Sequence, residues 1–398
     1  MKQLWHVFTL GFLLMYTAAP GGSFFSSRSG DVGLRIYTVG VRGLGMGGTG
    51  LASRDSLALN FQLVSQWRHI RETRAIIGMQ YRRIVTETAG ANFTTSTAGF
   101  DGAGFAIPIK KGQWVFGMAL QPYTNLDFRA IQQISTEEVE YEQVNRLEGS
   151  ITKAHLSLVW SPGPAVGIGL SANYYLGTIN DRFDLLFTST SYTDITHITQ
   201  YSLTGPGVGV SVDLQPTQWW MLAGFIDFPP SIAITVRRQT NARLPEIQER
   251  AFRTFPTQFG VGTSLKMSSR WILAADYSYQ YWSSVFKTSR PDVEDWYHLG
   301  LGFERSATRK RHVSLFNHID VRGGVSLTRL GYRFNDHSVF EYGLHFGLGI
   351  PFGTFRNRLD MAVTGGVRGN LSKNLAKETF VRIHLAISMG ELWFQKIR

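Results

Sequence analysis

Polar and apolar residues alternate with a period of two along most of the chain after residue 74. In the last such block, ETFVRIHLAISMG, Val381, Leu385 and Met389 fall on one face, and Arg382 and His384 fall on the other. Because successive side chains of a strand point to opposite faces, this pattern indicates strands with one apolar and one polar face. A helical period would distribute the charges around a cylinder.

The same alternation predicts fourteen strands, at residues 75–86, 97–109, 113–123, 150–161, 165–177, 200–213, 217–228, 254–267, 270–282, 294–305, 317–329, 338–351, 357–368 and 378–390. Short turns such as KKGQ and SPGP alternate with longer loops, at residues 124–149, 178–199, 229–253 and 283–293, although the long connection 306–316 departs from this order. An even strand number with short turns on one side is typical of bacterial outer-membrane barrels.

The pattern therefore predicts an all-β fold, a 14-stranded antiparallel transmembrane β-barrel. Closure suits a lipid environment, because every backbone amide in the bilayer needs a partner other than water. Aromatic residues near the predicted strand ends would form the interfacial girdles: Trp114, Trp160, Trp219, Trp220, Trp271, Trp282, Trp296 and Trp393. The alternative is a large soluble β-sandwich or β-helix.

The first 23 residues have the organisation of a secretory signal. Lys2 supplies the positive charge, LWHVFTLGFLLMYTAA the apolar stretch and PGGS a small-residue exit. The alternative is a membrane anchor. We expect an exported protein located in the bacterial outer membrane as a multi-pass barrel.

Composition restricts the chemistry that the chain can perform. The sequence contains no cysteine, which excludes disulfides, a thiolate nucleophile and zinc–thiolate sites. The formal net charge of +11 would suit nucleic acid, an anionic membrane surface or acidic solutes, and its sign alone does not choose among them. G-x-S-x-G, H-E-x-x-H, P-loop and EF-hand patterns are all missing, so we expect a protein that is not an enzyme and has no cofactor or metal.

The stretch GLGMGGTG at residues 43–50 contains a literal G-x-G-x-x-G. That fingerprint indicates nucleotide binding only where it joins a buried strand to a helix in a β-α-β unit, and this context is missing. We predict instead that residues 24–73 form a compact hatch, or plug, inside the barrel, where glycines let the backbone approach the wall closely. A flexible periplasmic tail is the alternative.

Three segments carry a resemblance to a known family. GVRGLGMGGTGLASRDSLALN resembles the N-terminal signature of the FadL-like family of outer-membrane hydrophobic-compound transporters, which includes FadL/TodX-like members and PorV-type relatives. FPTQFGVGTSLKMSSRWILAADYSYQYWSS and YGLHFGLGIPFGTFRNRLDMAVTGGVRGN resemble later parts of the same family. The resemblance implies a fourteen-stranded barrel with an N-terminal hatch, which agrees with the strand pattern.

The family signature assigns a hatch motif to seven positions of this chain: Arg42, Gly45, Met46, Gly47, Gly48, Asp55 and Asn60. The chain departs from the family after Asn60, where Phe61 and Gln62 replace the family's Pro-Ala. The predicted organisation is a signal peptide at residues 1–23, the hatch at 24–73 and the barrel at 74–398.

Two further groups of residues are candidates for function. The alternation places a polar network on the lumen wall, including Asp276, His298, Glu341, His345, Asp360, Arg368 and Arg382. These charges either neutralise one another and hold the hatch, or select polar solutes. The long outer loops would supply a ligand-capture site or ordinary packing at the mouth: Leu126, Phe128, Ile131, Leu244, Ile247 and Phe252.

By resemblance, the expected function is passive uptake of hydrophobic small molecules such as long-chain fatty acids or hydrocarbons. The ligand would enter at the outer loops, occupy an apolar pocket above the hatch and move when the hatch shifts. Expected partners are this ligand, outer-membrane lipid or lipopolysaccharide and the barrel-assembly machinery, with no nucleic acid. Basic loop residues such as Arg237, Arg238 and Arg250 would suit lipid-A phosphates or a fatty carboxylate. The alternative function is a PorV-like scaffold for protein secretion.

Overall fold

The computed structural model describes residues 22–28, 32–90, 92–135, 139–228, 231–241, 243–286, 292–308, 314–353 and 357–391. Most of these residues lie in strands that run antiparallel to their neighbours. The strands are β1 Leu34–Arg35, β2 Thr73–Thr88, β3 Asn92–Lys110, β4 Trp114–Ser135, β5 Glu140–Gly163, β6 Val166–Phe187, β7 Ile195–Leu214, β8 Trp220–Phe228, β9 Ser231–Thr240, β10 Arg243–Thr254, β11 Gln258–Lys266, β12 Trp271–Gln280, β13 Trp296–Arg305, β14 Asp320–Phe334, β15 His337–Phe352, β16 Asn357–Asn370 and β17 Ala376–Glu391.

Fourteen of these strands form a closed ring. Consecutive strands pair from β2 through β8, and β8 then pairs with β11. Consecutive strands pair again from β11 through β17, and β17 pairs with β2, which closes the ring. The remaining three strands, β1, β9 and β10, lie outside this ring order. The predicted fourteen-stranded antiparallel barrel is confirmed, and each predicted strand overlaps one strand of the ring.

The two faces of the wall have the polarity that the alternation predicts. Leu344, Met389 and Leu156 are 69%, 56% and 52% exposed on the outside, whereas Asp276 and His384 are buried on the inside. A continuous apolar outer belt is what the hydrocarbon of a bilayer requires. The ring is therefore a transmembrane barrel. Within the described residues, none of the helices is long and apolar enough to cross a membrane.

The ends of the barrel differ in how the strands are connected. We call the end at which β2 begins and β17 finishes the base, and the opposite end the mouth. At the mouth, residues that the pattern assigns to loops continue the strands, because β4 pairs with β5 as far as Ser135 and Glu140. The β9–β10 hairpin likewise extends the wall by pairing with β7. The expectation of long loops at 124–149 and 229–253 was wrong in this respect, since cross-strand pairing satisfies those backbone groups.

Helices are few and short in the part of the chain that the structure describes. The α-helical turns are Val41–Leu44, Trp282–Phe286 and Leu371–Asn374, and the 3-10 turns are Phe24–Arg28, Val64–His69 and Leu315–His318. Two of these turns, Val41–Leu44 and Val64–His69, are entirely buried.

The chain before β2 packs against the inner wall, and we call its described residues, 22–28 and 32–72, the N-terminal segment. Its apolar residues form a shared core with small inward residues of the wall, as where Phe61 and Trp67 pack near Ala106 and Ala119. A second core of Leu51 and Leu63 lies against β8. The interior of the barrel is thus largely filled by its own chain.

Candidate functional site

Ion pairs fasten the N-terminal segment to the wall near the base. Arg42 donates to both carboxylate oxygens of Glu304, at 2.8 and 2.9 Å, and Arg358 lies 2.5 Å from Asp55. Arg322 bridges Glu304 and Asp360, at 2.7 and 2.6 Å. All of these side chains are largely buried. Removing one member would leave a buried charge without its partner, so the network resists displacement of the segment.

Burial and neighbouring charges shift the pKa values of three ionisable side chains of the N-terminal segment, Asp55, Arg42 and His69. Burial disfavours the charged form of Asp55, but the guanidiniums of Arg358 and Arg42 outweigh burial and hold the pKa of this carboxyl well below its usual range. Burial also disfavours the charge of Arg42, and Glu304 and Asp55 outweigh it and raise the pKa of Arg42. Burial and the charge of Arg68 lower the pKa of His69 to about 3, so this imidazole is neutral at pH 7.

The glycine-rich loop meets glycines of the wall. Gly47 has φ of 78°, and a Cβ on it would lie 2.6 Å from the carbonyl oxygens of Leu301 and Val325. A Cβ on Gly45 would lie 2.8 Å from Cα of Gly347. Both positions therefore need glycine, Gly47 for its positive φ as well as for the close approach. In this barrel the G-x-G-x-x-G lies against the wall strands β13, β14 and β15, and the described residues around it form no β-α-β unit.

Two polar side chains form hydrogen bonds with backbone groups of the N-terminal segment that have no strand neighbour to pair with. Asp276 of β12 accepts hydrogen bonds from the amides of Gly50 and Leu51, at 2.6 and 2.7 Å. Asn60 accepts from the amide of Gln62 at 2.8 Å and donates to the carbonyl of Gly50 at 2.8 Å. Buried amides need such partners where no ladder is formed.

The wall is open between β3 and β4 over its half nearest the mouth. The two strands pair from Lys110 and Trp114 at the base to Ala103 and Leu120, and no further. Beyond that point β3 continues to pair with β2, and β4 continues to pair with β5. We call this separation the lateral gap.

A bulge on each strand marks the start of the lateral gap. Asp101 is the extra residue of β3, buried and paired with His384 at 2.8 Å. Tyr123 is the extra residue of β4, next to Pro122. Bulges bend a strand, and proline has no amide to donate, so it is tolerated where a strand edge is unpaired.

The N-terminal segment crosses the lateral gap at two levels. Leu34 and Arg35 form the short strand β1, which pairs with Asn125 and Thr124 of β4. Nearer the mouth, the amide of Ser23 donates to the carbonyl of Asp127 at 2.7 Å, while Thr95 of β3 donates to the carbonyl of Gly22 at 2.9 Å. The segment thus replaces part of the missing ladder between β3 and β4.

A cavity of about 300 Å³ lies between the N-terminal segment and the mouth, and it reaches the lateral gap. Its lining includes Gly48 of the segment, Gly99 and Phe100 of β3, and Pro122 of β4. Most of its other walls are polar, with side chains from β2 and from β13 to β17: Arg82, His298, Ser326, Thr328, Glu341, His345, Thr364, Arg368, Arg382 and His384. The cavity is thus mixed in polarity rather than wholly apolar as expected for a pocket above the hatch, because inward positions of these strands carry polar side chains.

Apolar side chains form a separate layer at the mouth. Twenty buried hydrophobic residues of the described part of the chain cluster there, among them Phe25, Tyr123, Leu126, Trp296 and Phe334. The cavity touches this layer through Leu34, Trp296 and Leu330. A molecule coming from the mouth would meet an apolar layer first and a cavity of mixed polarity second.

The residues predicted for the lumen wall all point inward, but they divide into separate groups. Asp360 belongs to the ion pairs at the base, whereas Arg368 and Arg382 both pair with Glu341 near the mouth, at 2.5 and 2.8 Å. His298 hydrogen-bonds to Thr328 at 2.8 Å, and His345 to Ser326 at 2.8 Å. Asp276 contacts backbone amides rather than cations.

The residues predicted for ligand capture do not all face one space. Leu126 is 1% exposed within the apolar layer, whereas Ile131 and Phe252 are 52% and 65% exposed. Phe128 is half-buried. The side chains of Leu244 and Ile247 lie outside the described residues, although their backbone belongs to β10.

The departure from the family signature at Phe61 and Gln62 has a local explanation. Phe61 packs against Gly102 and Gly104 of β3, at the base side of the lateral gap, where a Cβ on either glycine would lie 2.6 or 2.7 Å from its ring. Gln62 lies 3.3 Å from Asp227. The ring therefore occupies space that glycines leave open in the wall.

Sequence reasoning missed the lateral gap and the residues around it. Asp101, Pro122 and Tyr123 interrupt the strict alternation, and Pro122 lies inside a predicted strand. A proline within a strand is a signal of an edge or a bulge. The split of two strands, however, depends on pairing partners that the pattern does not specify.

The family model of BamG matches residues 32–398. The chain belongs to the BamG family. This BamG-family barrel also resembles solved structures: the Ralstonia pickettii toluene transporter TbuX (15% identity, TM-score 0.62, 89% of this chain and 99% of that one), a Pseudomonas aeruginosa FadL homologue (12%, 0.65, 90% and 100%) and the P. putida toluene transporter TodX (13%, 0.61, 91% and 100%). The expected resemblance to FadL-like barrels is confirmed at the level of the fold. No curated protein sequence matches this BamG-family chain.

Proposed function

We propose that this protein is a non-catalytic barrel of the bacterial outer membrane that takes up hydrophobic small molecules passively. The observation that carries the proposal is the continuity of the internal cavity with the lateral gap between β3 and β4. A barrel whose interior opens sideways gives an apolar molecule access to the bilayer, where it is most soluble.

The polarity of the interior supports a sideways route. Ligands would enter at the mouth, cross the apolar layer around Trp296 and Leu126, and leave through the gap. The N-terminal segment, which we propose acts as the hatch, blocks the straight path to the base and is held there by the pairs of Arg42 with Glu304 and of Asp55 with Arg358. Sideways release avoids breaking these buried ion pairs, whereas movement of the whole hatch would break several at once.

The remaining parts of the proposal concern targeting and surroundings. Residues 1–23 would act as a signal peptide, the barrel-assembly machinery would insert the chain, and the mouth would face outward. The exposed Arg237, Arg238 and Arg250 of the β9–β10 hairpin would then contact lipopolysaccharide phosphates. Toluene transport by TbuX and TodX supports a hydrophobic ligand for this fold.

The test blocks the gap without touching the ion pairs. Gly99 lines the cavity and is exposed, and a Cβ added to it would have only Gln80 nearby, at 4.0 Å, so Gly99→Trp places an indole in the opening. Gly365→Trp is the matched control, because a Cβ added to Gly365 would have nothing within 4 Å and this glycine lies across from Leu344 on the outer face.

Uptake of radiolabelled oleate and of toluene would be measured in cells that lack their own transporter. We expect uptake with the natural chain and with Gly365→Trp, and strongly reduced uptake with Gly99→Trp. Equal uptake by both variants would contradict the sideways route. No uptake by well-inserted natural chain would contradict transport itself and favour the secretion scaffold.

A further inference from the structure

An apolar hollow lies on the outer wall directly below the lateral gap. It has a volume of about 590 Å³ and contains the small outward residues Ala103, Ala154 and Ala172. Larger outward residues surround it, including Met118 and Leu156, which are 48% and 52% exposed. Small residues beneath larger ones leave a depression in an otherwise apolar belt. Such a depression suits a hydrocarbon chain.

The hollow and the lateral gap share a boundary. Ala103 and Leu120 are the last pair of β3 with β4 before the strands separate, and both residues line the hollow. Above this pair, Tyr81 of β2 lies opposite Ala98 of β3 and is 40% exposed on the outer face. The gap therefore lies on the mouth side of the hollow.

Arg82 of β2 supplies an unpaired cation in the cavity, beside the gap. It is half-buried, it lines the cavity, and no hydrogen bond or ion pair to it exists among the described residues. Its cross-strand neighbour Arg382 differs, because that guanidinium donates to both oxygens of Glu341 at 2.8 Å. A half-buried guanidinium with free donors is well suited to a bidentate anion.

The ionisable side chains that line the cavity carry a net positive charge, like Arg82 itself. Its lining contains four arginines, Arg35, Arg82, Arg368 and Arg382, against two carboxylates, Asp101 and Glu341. Asp101 pairs with His384. Outside the lining, Glu378 pairs with Arg368, and Asp127 of β4 attracts Arg82 through space without forming an ion pair. Arg82 therefore remains available to an anion.

We propose that the lateral gap binds a membrane lipid with an anionic headgroup, its phosphate or carboxylate at Arg82 and its acyl chain in the hollow of Ala103, Ala154 and Ala172. This inference rests on the proposed function, since it names the ligand class for the same sideways opening. Arg82 lies inside the barrel, the gap lies in the wall and the hollow lies on the outer face. A lipid with its headgroup at Arg82 would therefore extend its acyl chain through the gap into the hollow. A neutral hydrocarbon would leave Arg82 unused.

The test is native mass spectrometry of the purified full chain in detergent with palmitoyl-oleoyl phosphatidic acid, the phosphatidylcholine with the same chains, oleate, or inorganic phosphate. We expect phosphatidic acid and oleate to be retained over phosphatidylcholine. Arg82→Gln should weaken phosphatidic acid binding about tenfold, as expected for loss of a charge-assisted bidentate contact. Retention of inorganic phosphate without a lipid would contradict a requirement for the chain.

Matched variants separate a built site from general attraction. Arg83 neighbours Arg82 on the same strand but is exposed on the other face, so Arg83→Gln should leave the preference unchanged. Ala154→Trp fills the hollow and should reduce retention of the lipids. Ala275→Trp fills a comparable outer hollow of about 500 Å³ on β12, remote from the gap, and should not.

Two results would overturn the inference: equal retention of phosphatidic acid and phosphatidylcholine, or equal effects of the two arginine variants. Toluene uptake distinguishes this failure from failure of the proposed function. Toluene uptake without a lipid preference rejects only the anionic site. Binding that depends on Arg82 without any toluene or oleate uptake rejects transport and keeps the lipid site.

Discussion

Arg358 of β16 lies 2.5 Å from Asp55 of the N-terminal segment, joining residues that are 303 positions apart in the chain. The same guanidinium contacts Asp360 at 2.8 Å, so one arginine joins the wall to the segment. Both side chains are largely buried. This pair ties the segment to the base, while the opening of the barrel lies toward the mouth.

The pair should contribute measurably to stability. Asp55→Ala leaves buried guanidiniums with fewer partners, and we expect a loss of about 3 kcal/mol in the free energy of unfolding. Urea unfolding in detergent, followed by tryptophan fluorescence, would measure it. Glu87→Ala is the control, because Glu87 and Lys377 are partly exposed and 3.8 Å apart, a pair expected to contribute less than about 1 kcal/mol. Equal losses in the two variants would contradict the role of the buried pair.

Acid should weaken the same attachment. Burial alone would raise the pKa of Asp55, but Arg358 and Arg42 lower it below its unfolded value, so its contribution to stability is present above the unfolded pKa and is lost as pH falls below about 4. Urea midpoints measured from pH 6 to pH 2.5 should fall more steeply for the natural chain than for Asp55→Asn. Parallel pH profiles would show that Asp55 does not carry this dependence.

Asp276 should matter through the backbone rather than through charge. Asp276→Ala leaves the amides of Gly50 and Leu51 without their acceptor, at about 1 to 3 kcal/mol for each buried donor. Asp276→Asn keeps a carbonyl oxygen and should lose less. Limited proteolysis of the N-terminal segment would report the difference, with faster cleavage in the alanine variant. Similar cleavage of both variants would mean that the hydrogen bonds are unimportant.

Gly47 should tolerate no side chain. Its φ of 78° and its approach to the carbonyls of Leu301 and Val325 predict that Gly47→Ala loosens the segment, with a loss of about 1 to 3 kcal/mol from backbone strain alone. Gly90→Ala is the control, since Gly90 has nothing within 4 Å of an added Cβ. Thermal unfolding and protease sensitivity would both be compared. A Gly47→Ala variant that unfolds at the same temperature as the natural chain and resists protease would contradict the close approach of Gly47 to the wall.

Much of the fold follows from the sequence by itself. The alternation in segments such as RWILAADYSYQYW determined the number of wall strands and which face of each is polar, because side-chain direction in a strand has a strict period of two. The inward position of Asp276, Glu341 and Arg368 follows for the same reason. The positions at which the strands end near the mouth could not be predicted from the sequence. Pairing with a neighbouring strand, rather than residue type, decides how far β4 and β5 extend.

Only the tertiary structure decided which inward residues meet and where the wall opens. Asp55 pairs with Arg358, and Asp276 contacts backbone, although the sequence presents all three as similar lumen or segment charges. The lateral gap arises because β3 and β4 each insert a bulge at the same height, at Asp101 and Tyr123. Periodicity describes one strand at a time, whereas a gap, an ion pair or an unpaired Arg82 is a relation between strands that are distant in the chain.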